Sequence, residues 1–411
     1  MSLFASPKAL SRLAPALCAL ALLAGAGRAG EKTRVEQLGA RLFFDTALSE
    51  PRGVACASCH DPSRAFSGVN GSPIAAVARG AAPGAIGVRK APSLAYAAFS
   101  PPFAFIDKAD PISGVMLKAP AGGQFRDGRA VSLERQIEGP LLNPAEMNNP
   151  SKAAVVEKVK AGAYADLVRD VFGPGVFDDS EQGFAKLAEA IAAYERSDIF
   201  RPFSSRFDDV LRGKARFTPQ EARGFALFRS RKKGNCLACH DAELESRKPR
   251  EWLFTDFTYD VLGAPRNPAI PANADPGHFD LGLCKRAGLE QLAPQGFDIE
   301  RVCGAFKVPT LRNVALTAPY MDNGTFKTLR EAVAFYATRD TNPERWYPKT
   351  AEGSVAKYDD LPKEYWDNVN AREVPYDRKP GEAPRLDDEE IDAIVAFLET
   401  LTDRRAELVR Y

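Results

Sequence analysis

Cys56-Ala57-Ser58-Cys59-His60 and Cys236-Leu237-Ala238-Cys239-His240 limit what this chain can fold into more than any other feature of it. Two cysteines separated by two residues and followed directly by histidine is the pattern through which a polypeptide captures a c-type haem. The thiols form thioethers with the porphyrin edge, and the adjacent imidazole turns in to ligate the iron. A zinc site or a redox dithiol is the other chemistry open to such a cysteine pair. Zinc needs ligands from elsewhere, and beyond His60 and His240 the chain has only His278. Two copies, each closing on histidine, favour haem. The expectation is therefore two covalently bound haem c groups, held by Cys56, Cys59, Cys236 and Cys239, with His60 and His240 on the irons.

Residues 1–29 read as an export signal: Lys8 and Arg12 lead, an apolar run follows over 13–23, and small residues close it. That run is too short to span a bilayer, and no later stretch is longer. The expected product is periplasmic, with no membrane insertion and without Cys18. Cys284 and Cys303 then remain beside the haem cysteines, either as two free thiols or as a disulfide, which is their natural use in an oxidising compartment. Charge is balanced, 55 Lys+Arg against 54 Asp+Glu, so nothing points to nucleic acid or an acidic membrane as a partner.

Apolar residues at helical spacing predict helices over 31–46, 152–159, 163–171, 182–195, 219–229, 327–337 and 387–401. The first and fifth lead into the two haem motifs, and they echo each other locally: Gly39-Ala40-Arg41-Leu42-Phe43 against Gly224-Phe225-Ala226-Leu227-Phe228, with an aspartate after each motif histidine. Duplication of a cytochrome c unit explains the echo. The predicted fold is mainly α, two cytochrome c-like haem domains with long loops, over 30–205 and 206–411. With 31 glycines and 31 prolines, the loops are turn-rich enough to wrap a cofactor.

The two units are not equivalent. Residues 67–122 read as a long loop laid over the first haem, and they contain no histidine and only an isolated Met116. The first iron is therefore expected to be open on one side. Ser132 should cap a short helix carrying Leu133, Gln136 and Ile137, stopped by Pro140 and Pro144. Glu146 follows on a proline-bounded turn, where a glutamate is by default a solvated surface group. His278 stands in a proline-rich loop, as a surface group or an iron ligand. Tyr336 shares one helical face with Leu329 and Val333, which alone makes it core.

The motifs together resemble the bacterial di-haem cytochrome c peroxidase superfamily across nearly all of the mature chain. They are the two CxxCH sites, DGRAVSLERQ, GPLLNPAEM and VPTLRNVALTAPY, and the loops SLAYAAFSPPF, FTDFTY, GAPRNP and VPYDRKPG look most like the branch containing MauG and MbnH. The resemblance implies that the N-terminal haem reacts with peroxide and the C-terminal haem relays electrons. It places Gln136, Pro140 and Glu146 in the distal pocket, Glu146 as the acid/base. It gives the second iron His240 and Tyr336 as ligands, a phenolate that would lower its potential. A calcium ion between the haems is also implied, with Thr317 and Pro319 at its positions, although Lys90 stands where the family has a ligating asparagine. Arg126 replaces the family's inter-haem tryptophan, and Asp322 its PYxHxG histidine.

The function this implies is a periplasmic di-haem peroxidase that uses hydrogen peroxide to reach a high-valent di-haem state and oxidises a partner protein, at tryptophan. Trp252, Trp346 and Trp366 are then relay candidates, each with an ordinary structural reading beside it. The alternatives are a cytochrome c peroxidase that detoxifies hydrogen peroxide with electrons from a small cytochrome or cupredoxin, and a non-catalytic di-haem electron-transfer cytochrome.

Overall fold

Thr33 accepts a hydrogen bond from the Glu36 peptide N–H while Glu36 accepts one from that of Thr33, a capping box that starts α1, Arg34–Phe44. The computed structural model describes residues 33–404 apart from 69–71, 73, 75 and 111. The leader expected over 1–29 lies outside them. The first haem motif forms the turn α2, Cys56–Cys59. This half continues with α3, Leu133–Leu142, α4, Lys152–Lys160, α5, Ala165–Phe172, and α6, Ser180–Glu195. The second half contains α7, Arg206–Leu211, α8, Pro219–Arg229, a single turn α9, Leu289–Leu292, then α10, Leu329–Thr338, and α11, Asp388–Glu399. All seven expected helices form, with ends shifted by a few residues.

The echo between the halves marks where two helices cross. A Cβ on Gly39 of α1 would lie 1.9 Å from the Ala190 carbonyl oxygen and 2.9 Å from Tyr194 Cβ, both on α6. A Cβ on Gly224 of α8 would lie 1.8 Å from the Ala393 carbonyl oxygen and 2.9 Å from Phe397 Cβ, both on α11. Only glycine admits so close an approach of two helix backbones. Past each crossing a Leu-Phe pair, Leu42-Phe43 or Leu227-Phe228, enters a core of its own half, at roughly 2–3 kcal/mol per buried phenylalanine.

Two sequence expectations need correction. Pro140 does not stop its helix but sits inside α3, which Ser132 caps as expected and which runs on to Leu142. The proline ring removes one donor, while the Pro140 carbonyl still accepts from Met147 N at 3.0 Å. The segment 67–122 is not all loop over the first haem. It contains a hairpin of β1, Ala104–Ala109, and antiparallel β2, Met116–Ala121. Ala121 bridges Thr258, and Lys108 pairs with Asp256, so the hairpin leans on the second half. Both its faces are largely exposed, which erased the alternation that marks a strand in sequence. A two-residue ladder of β3, Tyr259–Asp260, and β4, Phe306–Lys307, completes the sheet structure among the described residues.

Buried polar groups join the halves. The Asp403 carboxylate accepts from Tyr96 Oη at 2.7 Å, Asn313 Nδ2 at 2.8 Å and the Ser204 peptide at 2.7 Å, and so ties first half, connector and second half to one group. Arg312, fully buried, pairs with Asp208 at 2.8 Å and donates to the Trp252 and Pro249 carbonyls. Cys284 and Cys303 form a disulfide.

Candidate active site

One continuous, mostly apolar cavity of 810 Å³ has both His60 and His240 in its wall. The two histidines are held alike. His60 Nδ1 lies 2.9 Å from the Phe66 carbonyl oxygen and His240 Nδ1 3.1 Å from that of Phe254, so that each Nε2 is left for a metal. Phe66 and Phe254 adopt φ of 57° and 55°, the left-handed region, at a cost of about 1–2 kcal/mol each. That strain aims the two carbonyls. Burial holds both imidazoles below their ordinary pKa, in the neutral form that binds iron. No disulfide joins the four motif cysteines, and all but Cys56 line the cavity. This donor set fits two haem c groups.

Gln136 and Pro140 of α3 line the cavity together with Glu146. Burial raises the Glu146 carboxyl above its usual range, opposed by a 2.8 Å hydrogen bond from Asn143 Nδ2 and by the charge of Arg129. Its charge is felt at Cys59, on the side of the first motif. The glycine-rich loop closes against this turn, with Ala81 N donating to the Glu146 carbonyl at 2.7 Å, and a Cβ on Gly80 would lie 2.2 Å from the Ala145 carbonyl oxygen. Glu146 is thus no solvated surface group. Met116 is 59% exposed on the hairpin and does not line the cavity. Asn143 was invisible as a site residue in sequence, because its part is to hold Glu146 across one turn.

Tyr336, on α10, also lines the cavity. Burial, then the neighbouring Cys239 and Asp260, raise its phenol well above the ordinary value, which sets it beside the second motif. A second buried phenol went unremarked in the sequence: the Tyr376 ring lies 5.8 Å from that of Tyr336 and lines the same wall. Only its place within VPYDRKPG could have drawn attention to it. His278 lines the cavity as well, its carbonyl held by Arg266 at 2.8 Å. Trp252 is buried in the second core, Trp346 donates its indole N–H to Thr338 Oγ1 at 3.0 Å, and Trp366 is 36% exposed.

The calcium expected at Thr317 and Pro319 does not fit the residues present. The Thr317 and Pro319 carbonyls would be its ligands, but the Ala318 carbonyl between them accepts from the Arg64 guanidinium. The Lys90 ammonium is buried nearby against Ser67, with Arg126 and Arg64 close enough to depress its pKa. Guanidinium and ammonium groups repel a divalent cation, which needs carboxylates and free carbonyls. Among the described residues no group of three or more His, Cys, Asp or Glu side chains is placed to hold a metal ion.

The family model for di-haem cytochrome c peroxidases matches residues 33–216. The methylamine utilization protein MauG of Paracoccus denitrificans is 39% identical over 407 residues, spanning 95% of each chain. Among solved structures, the di-haem peroxidase BthA of Burkholderia thailandensis is similar at a TM-score of 0.83 with 45% identity, covering 92% of this chain and 87% of that one. A MauG-like protein associated with microbial copper homeostasis is similar at a TM-score of 0.60 with 27% identity, covering 91% of each chain.

Proposed function

Because this chain belongs to the di-haem cytochrome c peroxidase family, and so is an oxidoreductase acting on peroxide, we propose that its two haem sites divide the work between them. Each half, 30–205 and 206–411, carries one covalently attached haem, and haem supplies the redox chemistry. One observation carries the division: Glu146 faces the cavity on the side of the first motif, whereas a phenol, Tyr336, faces it beside the second. His60 would hold the first haem, and the cavity beside Glu146 would admit hydrogen peroxide to it. Glu146 takes the proton from one peroxide oxygen and returns it to the other, which leaves as water. Gln136 and Pro140 shape the pocket, and Asn143 holds the carboxylate in place. Tyr336 and His240 hold the second site closed.

The two electrons that complete reduction of peroxide to water come from a tryptophan on a partner protein. A file of rings supports this reading. From Tyr336 the ring centroids step 6.4 Å to Phe335, 6.5 Å to Tyr347, 5.9 Å to Tyr358 and 6.2 Å to Trp366, which reaches the surface. Trp252 is buried packing, and Trp346 is a half-buried ring packed against the same core. The disulfide supports placement in the oxidising periplasm after removal of the leader.

The test is one equivalent of hydrogen peroxide added anaerobically to wild type and Tyr336→Phe, followed by optical and EPR spectroscopy. The ferric wild type should contain one high-spin and one low-spin haem, with only the low-spin signal altered in the variant. A ferric spectrum without a high-spin component would support simple electron transfer instead. Rapid turnover with a reduced small cytochrome, and no product on any protein, would support peroxide detoxification.

A further inference from the structure

Between the two haem motifs the cavity wall carries positive charge that the protein itself leaves unpaired. Lys90, Arg126 and Lys307 all line it. Lys90 Nζ donates to Ser67 Oγ at 3.0 Å, Lys307 Nζ to Ser100 Oγ at 3.1 Å, and Arg126 Nε to the Lys90 carbonyl at 3.0 Å. Among the described residues, none of the three forms an ion pair with a carboxylate. The carboxylates within reach are otherwise engaged: Arg89 binds Asp127 at 2.6 Å and Asp280 at 2.7 Å. Asp322 is pushed up to about 6 by burial and by Asp280; Arg126 feels its charge, but the two form no ion pair.

Enclosing an ammonium without a counter-ion costs several kcal/mol, and a folded chain keeps such groups where an anion meets them. Burial accordingly drives Lys307 down to about 7 and Lys90 well below its ordinary value in the protein alone. A c-type haem anchored through its thioether edge carries a pair of propionate carboxylates on the opposite edge. A propionate edge in this cavity would meet Lys90, Arg126 and Lys307 in its wall.

We propose that Lys90, Arg126 and Lys307 form a fixed-charge cradle for haem propionates at the junction of the halves, and that this cradle stands in place of a divalent metal ion. It rests on the two-haem reading and is independent of the final substrate. Lys90 is the central member, since its carbonyl accepts from Arg126 and its peptide N–H donates to the Asp322 carbonyl at 2.7 Å.

The test uses full-length holoprotein in which pyridine haemochrome assay gives the haem content per chain. Dialysis against EDTA and later addition of Ca²⁺ should leave optical spectra and both midpoint potentials unchanged. Lys90→Met and Lys307→Met should each shift one midpoint potential downward at unchanged haem content, because a lost positive charge favours the ferric state, and Lys90→Arg should retain the wild-type value. Resonance Raman propionate bending bands should move in the Met variants. Unchanged potentials and bands in both Met variants, or a spectrum that EDTA alters and Ca²⁺ restores, would overturn the cradle. Fewer than two haems per wild-type chain would overturn the two-haem reading and the cradle with it, and the haem assay separates that case from the others.

Discussion

A carboxyl drawn out of water can be poised for proton transfer or simply costly, and the half-buried Glu146 and the buried Glu195 show both. Glu146 must be ionised to accept a peroxide proton, and burial raises its pKa. The rate of the peroxide step should therefore rise with pH through an inflection above the ordinary carboxylate range. Glu146→Gln should keep both haems yet slow this step by about 10²–10⁴-fold and remove the inflection. Asn143→Ala, which deletes a hydrogen bond to the carboxylate, should move it to higher pH. Stopped-flow mixing with peroxide across pH reads all three. Glu195 does not line the cavity: it is 4% exposed, its Oε2 lacks a partner, and burial lifts it to about 8. Because the folded carboxyl keeps a proton that the unfolded one loses near its ordinary value of 4.5, stability falls as pH rises from there to about 8. Glu195→Gln should flatten that fall, gaining on the order of 2–4 kcal/mol at pH 8 and little at pH 4. Denaturant unfolding at the two pH values checks it.

At the scale of elements, the two glycine crossings decide whether α1 can meet α6 and α8 can meet α11. A Cβ less than 2 Å from a carbonyl oxygen cannot be absorbed by a side-chain rotation, so α8 and α11 must move apart in Gly224→Ala. We expect a loss of about 1–3 kcal/mol or more from the second half, and the same for Gly39→Ala in the first. If the halves are separate units, each substitution should lower one unfolding transition and leave the haem signal of the other half in place. Helical periodicity exposed α1 and α8 in the sequence, and the repeated Gly-x-x-Leu-Phe hinted at a shared role. What that role is, a backbone contact with a residue far along the chain, no local pattern encodes. The hairpin of β1 and β2 was hidden for the opposite reason: with both faces largely in water, it had no alternation to betray it.

Over the whole molecule, one file of rings runs from Tyr336 to the surface at Trp366. Trp366→Phe should leave the peroxide step unchanged while slowing oxidation of the partner protein at least tenfold; equal slowing of both, or of neither, would remove Trp366 from the path. Single-turnover measurements with and without the partner separate the two steps. The sequence by itself pointed to the chemistry, because CxxCH marks a haem site in adjacent residues, and it determined most helices, because their period is local. It also supplied the order of the family motifs, and with them Gln136, Pro140, Glu146 and Tyr336. The tertiary structure alone decided that Glu146 is half-buried and steadied by Asn143, that Tyr376 stands beside Tyr336, and that Lys90, Arg126 and Lys307 line one cavity. Burial and unpaired charge are properties of what surrounds a residue, and those surroundings come together only when both halves have folded.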